Sequence, residues 1–178
     1  DAELQKQIKL RIAKEAIERV GKFDAVPIKY GGCIEPVGYR TTVRCSVLDG
    51  KAGMRGFRSH DHIPLSSCGV AHERVEEIMT KSYFGDAEEV VIRTSILTGK
   101  SLAIVSNFDR SVETVQGVQV ISFDQLRKGH SANIVEQVCG KEWRVSADSF
   151  FQASPQGSEL LVRTVQDIIK GNISASAS

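Results

Sequence analysis

Residues 39–58 read YRTTVRCSVLDGKAGMRGFR, and this stretch decides the fold. From Tyr39 to Leu48 the chain is rich in β-branched and aromatic residues. Asp49-Gly50 is a hairpin turn signal, and Ala52 to Arg58 is the expected returning strand. On the N-terminal side, Leu4, Ile8, Ile12, Ala16 and Val20 recur at helical spacing, with Lys6, Lys9, Lys14 and Glu18 on other faces. That pattern predicts an amphipathic helix of roughly five turns ending near Gly21. On the C-terminal side, residues 70–82 read as a second helix with Val75, Ile78 and Met79 inward and Glu73, Glu76 and Glu77 in water. Strand-like runs follow at 89–97, 101–107, 118–123, 134–139 and 142–145. The turns Thr98-Gly99-Lys100 and Gly140-Lys141 are tight enough to predict antiparallel pairing. A last helix is expected to close at Gly171, leaving residues 174–178 as a disordered tail. Regular βαβ alternation is absent, so the expected class is α+β, a mainly antiparallel sheet with flanking helices.

The whole chain has 178 residues, enough for one ordinary domain with flanking pieces. A hydrophobic fraction of 41% and a charged fraction of 25% are those of a soluble globular protein. The formal net charge of +1 excludes an indiscriminate polyanion binder, so any nucleic-acid contact must come from a local patch. No run approaches the length of a membrane span, and the N-terminus reads as a charged helix, not a signal sequence. The four cysteines, Cys33, Cys45, Cys68 and Cys139, form no CxxC pair and no compact disulfide framework. With no secretion signal, they point to a reducing cytoplasm, where a small buried hydrophobe is the ordinary fate of each.

The sequence lacks GxSxG, HExxH and P-loop signatures, and Gly50, Gly53 and Gly56 are spaced for a turn and bulge. His60 and His62 straddle Asp61 with the spacing that puts two imidazoles on one strand face. No third ligand is near in sequence, so a polar loop competes with a metal site there, with Cys68 as a distant third partner. Between residues 40 and 62, Arg40, Arg44, Lys51, Arg55 and Arg58 outnumber Asp49 and Asp61. Arg40 and Arg44 share one strand parity, and Arg55 and Arg58 fall on the expected partner strand. Such a basic hairpin suits a grip on phosphates, and equally a solvated face with cross-strand charge pairs. Arg55-Gly56-Phe57 begins like an RNA-recognition RNP1 motif. It then fails, because Arg58 stands where a small residue is needed and Ser59 where an aromatic must stack.

Near the C-terminus stand Ser149, Phe150, Phe151, Gln152, Ala153 and Ser154-Pro155. Ser154 is a side-chain N-cap and Pro155 the first helical residue, with Leu161, Val165, Ile168 and Ile169 on the apolar side of the helix. Phe150 and Gln152 lie two apart in an extended segment and point the same way. An aromatic face stacks on a flat base, and a primary amide offers both a donor and an acceptor, which suits an edge such as that of uracil. The alternative is that both phenylalanines are core and Gln152 is a cap.

Phe150-x-Gln152 before a helix carrying Glu159 and Leu160 resembles the segment opening the catalytic domain of the RNA uracil-5-methyltransferases, which act on tRNA and 23S rRNA. The likeness extends backward in order through Gly38-Tyr39-Arg40, Arg44, Gly53 to Arg58, Ser59-His60 and the lone Cys68. Residues 5–19 are similar to the helix ahead of that family's central domain. The resemblance implies a cysteine nucleophile adding to C6 of a flipped-out uracil and a methyl group arriving at C5 from S-adenosylmethionine, with RNA as partner. It implies that Phe150 and Gln152 contact the base or the methyl donor and that Arg40, Arg44, Arg55 and Arg58 help hold RNA. It also implies that the nucleophile, the base and the methyl-donor loop belong to a Rossmann-like domain without counterpart here. No catalytic residue is therefore assigned, and the chain is expected to be an inactive fragment in need of its catalytic domain. Cluster-bearing members hold a [4Fe–4S] centre with three closely spaced cysteines ahead of the first helix and a fourth at the position of Cys68. Alone, one thiolate cannot hold a cluster. Ser154 departs from the Asn or His common in the family. The expected organisation is a helix over 1–22, a central domain over 23–147 and the start of the catalytic domain over 148–178. A self-contained RNA- or protein-binding module is the rival reading.

Overall fold

The structure, a computed structural model, describes residues 2–107 and 111–176. Contacts divide the chain into two units, with the boundary between Pro36 and Val37.

The first unit holds helix α1, Ala2–Glu15, whose last turn widens into a π-helical turn over Ala16–Val20. The Gly21 N–H donates to the Ala16 carbonyl at 3.1 Å and ends the helix where the sequence places it. Ion pairs one turn apart, Glu3–Lys6 at 3.5 Å and Lys14–Glu18 at 3.8 Å, brace its polar side. They are solvent-exposed and add at most a few tenths of a kcal/mol each, roughly.

The second unit is built on a six-stranded sheet. Its strands are β1, Thr42–Leu48; β2, Lys51–Arg55; β3, His62–Pro64; β5, Glu89–Thr94; β6, Ser101–Val105; and β8, Val118–Ser122. They lie side by side in the order β3-β2-β1-β5-β6-β8. Four of the neighbouring pairs run antiparallel, but β6 and β8 run parallel, from Ser101 opposite Val118 to Val105 opposite Ser122. The sheet is therefore mixed. The connection between β6 and β8 crosses back past a two-residue ribbon, β4 (Tyr83–Phe84) with β7 (Val112–Glu113), before the chain re-enters the sheet.

Period-2 alternation makes β1. Val43, Cys45 and Val47 point into one core, and Arg44, Ser46 and Leu48 point away. Asp49 and Gly50 both have positive φ, 51° and 74°, which a two-residue primed turn requires. The Tyr83 ring lies where a Cβ on residue 50 would stand, so glycine is needed there twice over. Helix α2, Glu73–Lys81, buries Val75, Ile78 and Met79 against this sheet face together with Phe84, Val90, Ile92, Ala103 and Val105. The helix starts later than its pattern suggests. Val70 and Ala71 are drawn alongside Arg40, whose N–H donates to the Val70 carbonyl at 2.8 Å, leaving His72 as the N-cap.

The opposite sheet face is covered over only part of its width. Val91, Leu102, Ile104 and Ile121 pack against Ile134 and Val145 of a separate hairpin, β9 (Asn133–Val138) and β10 (Lys141–Ser146). Between β8 and that hairpin lies a short helix that periodicity does not reveal, α3, Phe123–Arg127, closed by a capping box between Ser122 and Gln125. The last helix, α4, is Pro155–Ser176. It runs through Gly171, because an exposed glycine inside a helix costs only about 1 kcal/mol. Ser174 to Ser176 are thus helical, not a tail, and Ala177 and Ser178 lie outside the described residues. No helix among the described residues is long and apolar enough to cross a membrane.

Candidate functional site

The segment from Ser146 to Ser154 leaves β10 and enters α4, and it is pinned at both ends. At its start, the Arg93 guanidinium donates to the carbonyls of Ser146 at 2.8 Å and Ser149 at 3.0 Å. At its end, the Thr41 N–H donates to the Ala153 carbonyl at 2.7 Å. Ser154 then caps α4, its Oγ accepting from the Gly157 N–H at 3.0 Å. Between these anchors the residues alternate. Phe151 packs on the core under the hairpin, while Phe150 and Gln152 face outward, with Phe150 83% exposed.

Phe150 and Gln152 line a groove of about 530 Å³ between the β9–β10 hairpin and α4, shared with Lys141, Trp143, Leu161 and Val162. Trp143 is the only tryptophan of the chain and is half exposed. The groove thus presents two accessible aromatic rings, a primary amide and a lysine. These are groups for stacking on a flat ring and reading its edge. Trp143 and Lys141 escape motif reading, although period-2 spacing from buried Val145 puts both on the inner side of β10. From Leu161 at the groove, Val165, Ile168 and Ile169 continue an apolar stripe of α4 that is exposed along the helix.

Under the hairpin sits a pair of buried charges that the sequence does not announce. Arg93 is 6% and Glu136 2% exposed. Burial lowers the Arg93 pKa, while Glu136 and Asp148 favour its charged form. Burial pushes the Glu136 carboxyl up to about 7, against the pull of Arg93. The Arg93 Nε is buried without a hydrogen-bond partner.

The four predicted RNA-binding arginines do not form one row. Arg44 projects from β1 on the uncovered part of the sheet and pairs with Glu89 at 3.0 Å. Arg55, at the end of β2, bonds the His60 Nδ1 at 3.0 Å. Arg58 is not on a strand. β2 ends at Arg55, and Arg58 sits in the following turn with φ of 56° and its guanidinium over the Phe57 ring, because Gly56 bends the chain back to Asp61. Arg40 lies before β1, one residue from the Thr41–Ala153 bond, and its guanidinium stacks on Tyr39.

His60 and His62 are engaged separately. His62 Nδ1 is 2.9 Å from the Ser46 Oγ, and its ring lies where a Cβ on Gly53 would stand. Among the described residues no three His, Cys, Asp or Glu side chains converge as a metal site. Cys68 is half-buried against the α2 core, and its N–H donates to Glu76 Oε1 at 2.8 Å. By itself it offers a cluster one thiolate, which does not fit an iron–sulfur centre.

No protein-family model matches the chain. In sequence it is similar to three proteins named as uncharacterized RNA methyltransferases. The one from Streptomyces coelicolor is 27% identical across 90% of this chain and 40% of that protein. Those from Streptomyces avermitilis and Clostridium tetani are 24% and 22% identical across 90% and 88% of this chain. The chain spans about two fifths of the length of these relatives, 40–44%. In structure it matches 42% of the Pyrococcus abyssi tRNA (uracil-54, C5)-methyltransferase, solved with S-adenosyl-L-homocysteine, over 75% of its own residues, with a TM-score of 0.54 and 15% identity. That identity makes the likeness one of fold. The chain is thus similar in sequence to proteins named RNA methyltransferases and shares its fold with part of a solved tRNA methyltransferase.

Proposed function

We propose that this chain is the RNA-holding and base-contacting portion of an S-adenosylmethionine-dependent RNA uracil-5-methyltransferase. The observation that carries the reading is the Phe150–Gln152 pair. A doubly pinned segment presents a ring and an amide side by side at the rim of a groove that Trp143 also lines. A base turned out of its stack finds there a face to stack on and an amide matching an edge with a carbonyl beside an N–H. Arg40 near the segment and Arg44, Arg55 and Arg58 around the β1–β2 hairpin supply the positive charge that draws the phosphate chain. In this reading residues 23–147 are the central domain, residues 148–178 open the catalytic part, and the protein works in the cytoplasm.

S-adenosylmethionine supplies the methyl group when bound. The residues of this chain hold and orient the base. Among the cysteines, Cys45 fits poorly as a nucleophile. Cys45 is buried, with its thiol pushed up to about 12 by desolvation and by the nearby Cys68, so it stays protonated at neutral pH. Cys139, half-buried at the hairpin turn, has its Sγ 3.9 Å from the Glu159 carbonyl. The exposed stripe Leu161, Val165, Ile168 and Ile169 suits the docking of the portion that carries the methyl-donor loop, since an apolar surface of this extent marks an interface.

Incubation of the 178-residue chain with S-adenosylmethionine labelled in its methyl group and uracil-containing RNA is expected to transfer no label above background. Transfer of label would contradict the assignment of the nucleophile to a separate portion.

A further inference from the structure

The Phe150–Gln152 segment has no regular secondary structure of its own, so its position depends on what grips it. Its leading end is held by the Ala147 N–H, which donates to the Ala132 carbonyl at 2.9 Å, and by one side chain. Arg93 projects from β5 across the interface with the hairpin, and its two terminal nitrogens take the Ser146 and Ser149 carbonyls in a fork. A guanidinium in this position must be charged to keep that fork, and it is almost wholly removed from water. Its compensation comes from Glu136 on β9 and Asp148 in the segment itself. Glu136 stands opposite Trp143 in the hairpin register, hence on the groove-lining side of the hairpin. The other charged groups near are Lys141, on the same side of β10, and Glu159 and Arg163 on α4, which pair with each other at 3.1 Å.

We infer that Arg93 is a positioning residue for the Phe150–Gln152 wall, its buried fork to the Ser146 and Ser149 carbonyls acting as a latch, with buried Glu136 as a neighbouring negative charge that supports it. The Arg93 Nε is buried without a hydrogen-bond partner, so the fork through its two terminal nitrogens is the guanidinium's hold on the segment. When Glu136 takes up a proton, Arg93 loses a neighbouring negative charge in a desolvated place, and its hold on Ser146 and Ser149 weakens. The Glu136 carboxyl, raised to about 7, makes that change near neutral pH. What the wall grips rests on the proposed function. That the latch sets the wall does not.

The test is a pH titration of the ¹⁵N-labelled chain by NMR, following the amides of Phe150, Phe151 and Gln152. All three are expected to move together with one midpoint near 7. Glu136→Gln is expected to abolish that transition. Arg93→Met is expected to raise the midpoint, because Arg93 is the charge that holds it down. Arg93→Lys keeps the charge without the fork, and should displace the three amides at every pH while those of β1 stay in place. A transition that survives Glu136→Gln, or wall amides unmoved by Arg93→Lys, would overturn the latch. If Arg93→Met fails to fold, Glu136→Gln and Arg93→Lys decide the matter. Oligouridylate binding in the same samples separates the two proposals. Arg93→Lys is expected to weaken it about tenfold, the loss of roughly one stacked base. Amides that titrate as expected in a chain with no affinity for oligouridylate would support the latch and remove the base-contact reading.

Discussion

Phe84→Ala is expected to cost roughly 3–5 kcal/mol of stability, the range for a fully buried phenylalanine truncated in a core that cannot collapse around the void. Phe84 has no exposed surface and packs in the cluster of Val75, Ile78 and Ala87. Its backbone is committed as well. The Phe84 N–H donates to the Gly50 carbonyl at 2.8 Å, and its strand pairs with Val112. The backbone at Phe84 is therefore tied to the turn between β1 and β2 and to the β4–β7 ribbon, which holds the ring in place. Little slack is available to refill the space, so the upper half of the range is expected. Typical domains have a total stability of about 5–15 kcal/mol, so the loss is a large share of it. Urea unfolding of wild type and variant checks the value, with Phe57→Ala as control. Phe57 is 89% exposed, and its removal should change stability by less than about 0.5 kcal/mol. A Phe84→Ala penalty below about 1 kcal/mol would contradict the packing described.

The second large effect is a dependence of stability on pH with an unusual sign. The Glu136 carboxyl titrates near 7 in the folded protein and at its ordinary 4.5 in the unfolded chain. Between these values the folded state holds a proton that the unfolded state has released. Stability is therefore greatest below about pH 4.5 as far as this group goes, falls as pH rises toward 7, and is level above it. Integrated over that interval, the loss approaches about 3 kcal/mol, which corresponds to a fall in Tm of roughly 10 °C for a chain of this size. Glu77 acts in the opposite sense. The Arg74 guanidinium bonded to it holds its carboxyl below the usual range, so its contribution is lost as pH falls through that lowered value. The two windows do not overlap. Thermal unfolding across the acid to neutral range should therefore show a decline toward pH 7 that is absent in Glu136→Gln. A wild-type Tm that rises over the same interval would contradict the placement of Glu136.

The parts of this architecture that follow local rules were legible in the residues. Alternation of Val43, Cys45 and Val47 with Arg44 and Ser46, ended by Asp49-Gly50, yields the first hairpin. The spacing of Val75, Ile78 and Met79 yields α2. Phe150 and Gln152 point outward around a buried-side Phe151, as residues two apart in an extended segment must. What was not legible depends on parts of the chain far apart in sequence. The parallel pairing of β8 with β6 is set by where the connection through β7 crosses, and no residue of Val118–Ser122 encodes a direction. Arg58 reads as one more strand residue, but it lies past the bend at Gly56. Arg93 sits in a run, Glu89–Thr94, where a charged residue looks like any solvent-facing side chain. Only the hairpin packed over it, from residues far later in the chain, buries it and gives it two carbonyls to hold. The groove arises in the same way. Trp143 and Leu161 come from different elements and meet across it only in the folded chain.

The most direct test of the proposed function uses the chain's own probe. Trp143 lines the same groove as Phe150 and Gln152, so its fluorescence reports occupancy of the site. The measurement is a titration with a short single-stranded uracil-rich RNA beside an abasic strand of equal length. The wild-type chain should show saturable quenching with the uracil strand and little with the abasic one. Phe150→Ala should weaken binding by about tenfold or more, at the scale of one lost stacking partner. Because Phe150 is 83% exposed, that variant should keep its fold. Equal affinity for the abasic strand, or a Phe150→Ala variant that binds the uracil strand as wild type does, would contradict a base-contacting role for this groove.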